Sequence, residues 1–249
     1  MENIYRYFNC KIRQVLEKYE IRIRVNKNVI LNTGTGEIIL DVICNEKDVI
    51  DTFNLITEYS AYAYEQNMAE GFITIPGGHR VGIGGYMAGT IYDKPIVRNI
   101  RFINFRINHH IKNCSEMIFP KLYKNNHLCN TLIISPPGLG KTTLLRDLVY
   151  KISENFAGTS LCVIDERNEI SGCYKGVPTM DLGKRTDVIS NCSKSKGILM
   201  AIRSMAPTLI AVDEIGTAQD IEALEYANLS GIFIIATVHG KNQAAVIKK

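Results

Sequence analysis

The chain has 249 residues, of which 46% are apolar and 22% charged, the proportions of an ordinary globular protein with a sizeable core and not of a disordered or fibrous polymer. Its 29 Lys+Arg and 25 Asp+Glu leave a net charge of +4. This mildly basic balance permits contact with anionic surfaces and is too small to imply nucleic acid.

The N-terminal MENIYRYFNCKIRQ has no apolar core of the signal-peptide kind, and no apolar run reaches bilayer length. Any membrane attachment is therefore expected through a partner. The seven cysteines, Cys10, Cys44, Cys114, Cys129, Cys162, Cys173 and Cys192, are odd in number and form no C-x-x-C pair. That argues against a disulfide framework or structural zinc and for a reducing cytoplasm. Ile4, Tyr7, Phe8, Ile12, Val15 and Leu16 share one face of a helix over 3–18. Residues 21–31 then open on apolar–basic alternation, as a half-buried strand does. Residues 32–36 are turn chemistry, and 37–43 form the returning strand. A helix is expected over 46–68, with Asn45 as N-cap and Asp48 three residues on. Residues 71–90 read as a hairpin around Pro76-Gly77-Gly78, with Gly82, Gly84 and Gly85 marking weak or bulged positions. Residues 95–107 are extended and carry Arg98, Arg101 and Arg106. Residues 1–108 thus read as a small α+β N-terminal domain, and 109–129 as a linker with one short helix.

From residue 130 the pattern changes. Strands are expected at 130–135, 160–165, 208–214 and 231–240. Helices are expected at 144–153, 197–205 and 218–230, and another after Gly240. Strand–helix alternation predicts an α/β domain over 130–249, built on a parallel sheet covered on both faces.

The first strand of that domain runs into Ser135-Pro136-Pro137-Gly138-Leu139-Gly140-Lys141-Thr142-Thr143. This fits the P-loop pattern G-x-x-x-x-G-K-[ST], except that Ser135 replaces the first glycine. Pro137, Gly138, Leu139, Gly140, Lys141, Thr142 and Thr143 are the candidate nucleotide-binding residues. Gly138 and Gly140 let successive amides converge on one phosphate, and the helix start adds positive potential. Lys141 can reach the β- and γ-phosphates, and the Thr142 hydroxyl is suited to Mg²⁺. A helix-capping glycine turn would explain the loop in isolation. The acids downstream favour phosphate binding.

Leu209–Val212 leads into Asp213 and Glu214. Asp213 is the candidate Mg²⁺ ligand, and Glu214 the candidate base for the attacking water. Cys162–Ile164 likewise leads into Asp165-Glu166-Arg167, where Asp165 or Glu166 could place water or Mg²⁺, or Glu166 and Arg167 could form surface ion pairs. His239, at the end of the last strand, is a γ-phosphate contact or a structural residue. Arg185, Arg203, Arg98, Arg101 and Arg106 are candidates for neutralising transition-state charge, each otherwise a solvated side chain.

In this order SPPGLGKTTLLRD, CVIDERNEI, GKRTDVI, IRSMAPTLIAVDEIG and ATVHG, with GFITIPGGHRVGIGG and FINFRI before them, resemble the stage III sporulation protein AA family of endospore-forming bacteria. The resemblance runs over nearly the whole chain. That family looks related to the hexameric, RecA-like secretion ATPases of type II and type IV pilus systems. The resemblance implies a RecA-like core, ATP and Mg²⁺, and ATP hydrolysis. It also implies a homo-oligomer, hexameric in the relatives, and a polytopic membrane partner in a channel complex between mother cell and forespore. The relatives' acidic segment corresponds to CVIDERNEI, which contains the candidate catalytic Glu166, and the resemblance supports His239 in the histidine box and Arg203 in the arginine-bearing segment. Secretion motors carry glycine at the position of Asp213, so their hydrolytic acid aligns with Glu214. The family's usual basic residue after DEIG is Thr217 here, and the relatives continue for several elements past the position of Lys249. Two other readings use the same residues. One is a nucleic-acid-remodelling ATPase, with the Ile21–Val25 strand and Arg98–Arg106 interleaved with Phe102 and Phe105. The other is an ATP-dependent assembly platform with little turnover.

Overall fold

The chain divides into two units, Met1–His109 and His110–Lys249. The computed structural model describes residues 20–33, 36–69, 71–88, 96–108, 111–124 and 127–242. The helix expected at 3–18, and all but the first two residues of the helix expected after Gly240, lie outside the described residues.

In the first unit, period-two segments build an antiparallel sheet from β1 (Glu20–Arg24), β2 (Lys27–Thr33), β3 (Gly36–Cys44), β4 (Phe72–Ile75), β5 (His79–Ala88) and β6 (Ile96–Arg106), in the order β3-β2-β1-β6-β5-β4. Alternate residues Ile21, Ile23, Leu31, Ile73, Val81, Ile103 and Phe105 are buried in one core with Val49, Phe53 and Ile56 of α1 (Glu46–Ile56). The expected strand over 21–31 is two strands. Asn26 turns the chain at φ 57°, a left-handed angle that asparagine tolerates. The helix expected over 46–68 stops at Ile56. The buried Thr57 hydroxyl donates to the Phe53 carbonyl at 3.0 Å, and Glu58 and Tyr59 are both left-handed, at φ 51° and 58°. Two such residues in succession cannot continue a right-handed helix. A 3₁₀ turn at Ala61–Tyr64 and a short α2 (Glu65–Ala69) follow. The α1 start is a reciprocal cap. Asp48 N–H donates to Asn45 Oδ1 at 3.0 Å, and Asn45 N–H to Asp48 Oδ2 at 2.9 Å. The β5–β6 ladder slips on both sides of Gly85. A Cβ there would lie 2.3 Å from the Asn99 carbonyl oxygen, so the bulge requires glycine.

The second unit begins with a 3₁₀ turn at Phe119–Leu122 and a two-stranded ribbon, β7 (Tyr123–Lys124) and β8 (His127–Leu128). Its parallel sheet has the order β11-β10-β12-β13-β9. These strands are β9 (Thr131–Ser135), β10 (Leu161–Asp165), β11 (Thr186–Ser190), β12 (Leu209–Val212) and β13 (Phe233–His239). Every residue of β10 and β12 is buried, as expected for strands covered on both faces. Leu161, Val163, Leu209 and Ala211 pack with Leu145, Leu148 and Ile152 of α3 (Lys141–Asn155). Cys162, Ile164, Ile210 and Val212 pack with Ile198 and Ala201 of α4 (Lys194–Ser204) and with Ala223, Leu224 and Ala227 of α5 (Ala218–Leu229). The edge strand β11 has no counterpart among the expected elements. Among the described residues, no helix is long and apolar enough to cross a membrane.

Part of the stretch expected to be a linker packs into the second unit. Leu122 joins the core under α3, and Tyr123 stacks on Phe156 with ring centroids 4.3 Å apart. Asp147 on α3 accepts from the Ser115 hydroxyl at 2.6 Å and from the amides of Ser115 and Asn113, each at 2.9 Å. Burial alone would raise the Asp147 carboxyl. The Ser115 and Asn113 hydrogen bonds and nearby Lys151 outweigh it and hold the group below the usual carboxylate range. A carboxyl depressed in this way contributes stability above its unfolded value, near pH ~4, and loses it as pH falls through the lower folded value. Asp147→Asn is therefore expected to lose about 1–3 kcal/mol near neutral pH. In urea titrations the gap to the native protein should narrow as pH falls below ~4. A gap independent of pH would assign the loss to packing instead.

Candidate functional site

Parallel strands in register end on one edge of the sheet. His239 pairs with Ser135 across β13 and β9, and Val212 with Ile164 across β12 and β10. The loops that leave β9, β10, β12 and β13 therefore emerge side by side, where open α/β sheets bind their ligands.

The glycine loop joins β9 to α3. Gly138 and Gly140 have φ 77° and 82°, and a Cβ on either would meet nothing within 4 Å. The backbone angle, and not space, is what calls for glycine. Gly140 caps α3 and accepts from Leu144 N–H at 2.9 Å. Lys141 is buried and curls back along the loop, with Nζ donating to the carbonyls of Ser135 at 3.0 Å and Pro136 at 2.9 Å. Pro137 and Leu139 are exposed, and Thr142 and Thr143 are half-buried in the first turn of α3.

Asp213 lies just past the end of β12, and its carboxylate bridges two hydroxyls. Thr142 Oγ1 donates to Oδ2 at 2.5 Å, and Thr237 Oγ1 donates to Oδ1. The Thr237 hydroxyl also accepts from Glu214 N–H at 2.8 Å. Glu214 is left-handed, at φ 53°. Its Oε1 lies 3.1 Å from His239 Nε2, and its Oε2 3.1 Å from a guanidinium nitrogen of Arg167. Glu166 forms an ion pair with Lys194 at the start of α4. Glu166, Arg167, Lys194, Asp213 and Glu214 line one cleft.

Asp165, expected beside water or Mg²⁺, lines the same cleft and also holds the turn after β10. It is 2% exposed and accepts from the amides of Glu169 at 2.9 Å, Ile170 at 3.1 Å and Ser171 at 2.7 Å, and from the Ser171 hydroxyl at 2.6 Å. Three of these four bonds go to Oδ2 and one to Oδ1, and together they fix the turn after β10. Arg146, also 2% exposed, holds the same turn from α3. Its side chain donates to the carbonyls of Ile170 at 2.7 Å and Glu169 at 2.5 Å. Burial pulls the Arg146 pKa down, against the opposing pull of Asp165 and Asp213.

The structure thus brings Lys141, Thr142, Asp213, Glu214, His239 and Glu166 to one sheet edge. Arg203 is exposed in the last turn of α4 and is not among the cleft-lining residues. Arg185 donates to the Ser153 carbonyl at 2.5 Å, and Arg101 pairs with Glu46 at 2.8 Å. Arg106 is exposed on β6. The Arg98 side chain lies outside the described residues. Sequence reasoning missed Thr237, Arg146, Arg167 as a partner of Glu214, and Lys194. Thr237 had a signal, because it sits two residues before His239 on a strand and so shares its side. Among the described residues, no three His, Cys, Asp or Glu side chains form a metal-binding cluster.

Residues 1–249 match the family described as sporulation stage III, protein AA. The stage III sporulation protein AA of Bacillus subtilis is 38% identical over 240 residues, which is 95% of this chain and 78% of that protein. Among solved structures, the Legionella pneumophila ATPase DotB matches with a TM-score of 0.64 at 17% identity, over 94% of this chain and 65% of that one. The pilus retraction motor PilT, solved with bound ADP, matches with a TM-score of 0.60 at 18% identity, over 90% and 64%. Likeness at these identities establishes the fold. The chain is α/β, with the parallel-sheet architecture of those proteins and an antiparallel N-terminal sheet, and it spans just under two thirds of each.

Thr237→Val keeps the side-chain shape but strips the donor from Asp213 and the acceptor from Glu214 N–H. It should lower the stability of the second unit by about 2–4 kcal/mol, and Thr237→Ser should restore most of it. Chemical denaturation checks this. Equal stability of the valine and native proteins would show that the bridge contributes nothing.

Proposed function

The chain belongs to the sporulation stage III protein AA family, and from that premise we propose that it binds ATP with Mg²⁺ and hydrolyses it as a motor of the secretion-ATPase type. In this proposal the motor energises a channel or secretion-like complex during endospore formation. The observation that carries the reading is the 2.5 Å contact between Thr142 Oγ1 and Asp213 Oδ2, beside a loop whose two glycines are left-handed. A hydroxyl at a helix start touches a carboxylate at a strand tip, next to amides that can face a phosphate chain.

The roles follow from that arrangement. Amides of Gly138–Thr143 receive the α- and β-phosphates, with Pro137 and Leu139 holding the curve of the loop. Lys141 exchanges the carbonyls of Ser135 and Pro136 for phosphate oxygens. Thr142 and Asp213 are hard oxygen donors and fit Mg²⁺, which keeps few protein ligands and takes the rest from phosphate and water. Bound there, the ion neutralises charge on the phosphate oxygens. Glu214 orients and deprotonates the attacking water. His239 aligns the Glu214 carboxylate, and Glu166 with Lys194 shapes the opposite wall of the cleft. Arg203, exposed and not among the residues lining the cleft, is assigned to a neighbouring copy's site in a homo-oligomer, hexameric as in secretion motors. The proposal divides the chain into an N-terminal domain over 1–108 and a motor core over 130–249, joined by a segment over 109–129 whose Ser115, Leu122 and Tyr123 pack on that core. It places the protein in the cytoplasm, docked on a polytopic membrane partner.

Purified protein should hydrolyse many ATP per chain. Lys141→Ala should lose measurable binding of both ATP and ADP while circular dichroism stays unchanged. Glu214→Gln should keep binding and lose turnover by at least about 100-fold. A folded Lys141→Ala protein that binds both nucleotides normally would overturn the phosphate-loop assignment.

A further inference from the structure

We infer that Arg167 is a γ-phosphate sensor, which holds Glu214 when the loop is empty or carries a nucleoside diphosphate and releases it to a nucleoside triphosphate. The inference rests on the nucleotide-binding reading above and deepens it.

Glu214 has both carboxylate oxygens engaged, Oε2 by Arg167 and Oε1 by His239, each at 3.1 Å. A carboxylate with each oxygen facing a nitrogen donor keeps fewer lone pairs for a water, and the guanidinium offsets the charge with which it would orient one. Opening one of the two contacts frees Glu214 further for a water, and exposure distinguishes them. The Arg167 side chain is 59% exposed and that of His239 36%. An exposed ion pair is worth little. A guanidinium facing a phosphate makes stronger, bidentate, charge-assisted hydrogen bonds. Exchange of the Glu214 carboxylate for a terminal phosphate is thus favourable for Arg167 once such a phosphate is present.

Position selects the terminal phosphate. The glycine loop grips the α- and β-phosphates, while Arg167, Asp213 and Glu214 line the cleft next to Thr142. A group that extends past the β-phosphate toward Glu214 is the third phosphate, which a diphosphate lacks. Main-chain motion is not required. The turn that carries Arg167 is fixed at its far end by Asp165 and Arg146. The neighbouring Lys194–Glu166 pair is far less exposed on its cationic side, at 11%, and stays fastened during the exchange.

The test measures binding and not turnover. The full chain is titrated with ADP and with a non-hydrolysable ATP analogue, both with Mg²⁺. Arg167→Ala should weaken the analogue by about tenfold or more and leave ADP within about twofold. Arg167→Lys should recover part of the loss. Glu214→Gln frees the arginine in advance, so it should tighten the analogue several-fold without changing ADP. Arg167→Gln repeats the measurement should the alanine protein not fold. Equal effects on the two nucleotides, or none on either, would overturn the inference. If Lys141→Ala removes both nucleotides while Arg167→Ala is neutral, the sensor alone fails. If Lys141→Ala removes neither, the nucleotide-binding reading fails with it.

Discussion

The Asp213 carboxylate is the contact on which the rest of the site depends. It accepts from Thr142 on α3 and from Thr237 on β13, and its own residue continues β12. One side chain therefore sets three elements against each other at the sheet edge. Hydrogen bonds to a charged acceptor contribute about 1.5–3 kcal/mol each, enough to fix the start of α3 relative to the strand tips. The Thr237 hydroxyl then extends the set by accepting from Glu214 N–H. The orientation of Glu214 is thus inherited from the same bridge that places Thr142.

A second pair acts one layer deeper. Arg146 and Asp165 are both nearly inaccessible, and a buried charge is tolerated only when its hydrogen-bonding capacity is met. Here the partners are main-chain groups of one turn, with amides of residues 169–171 facing Asp165 and carbonyls of 169 and 170 facing Arg146. The turn after β10 is clasped by its own strand and by the helix that follows the glycine loop. Glu166 and Arg167 lie on that turn, so the cleft is tied by these hydrogen bonds to the helix that follows the glycine loop.

Much of this was legible where chemistry is local. The strand–loop–helix of Ser135–Thr143, the acidic tips after β10 and β12, and the Asn45–Asp48 cap depend on neighbours in sequence, and residue type announces them. What stayed hidden depends on a third dimension or on a single backbone angle. Asn26 splits a strand and Glu58 with Tyr59 end a helix, although hydrophobic spacing runs on through both. The edge strand β11 escaped because the segment between it and β10 has no helix, so the strand–helix rhythm skips a beat. Arg146 sits in an amphipathic helix where a surface arginine is the ordinary expectation. Only the fold puts an acid and two carbonyls in front of it.

The two acidic tips look equivalent in sequence and are not so in space. Asp165 accepts four hydrogen bonds from its own turn, and Glu166 is held by Lys194, whose side chain is 11% exposed. Glu214 is held by Arg167, 59% exposed, and by His239, 36% exposed. Its backbone carries a left-handed φ of 53°, a conformation that costs a non-glycine residue about 1–2 kcal/mol and persists only where surrounding contacts over-determine it. Those contacts are the Glu214 N–H to Thr237 Oγ1 bond and the Ile215 N–H to Thr237 carbonyl bond, each 2.8 Å. The main chain is therefore committed while the side chain's partners stand in reach of solvent. Of Asp165, Glu166 and Glu214, only Glu214 combines a main chain fixed by these bonds with side-chain partners more than a third exposed, which is the combination its proposed role in orienting a water calls for.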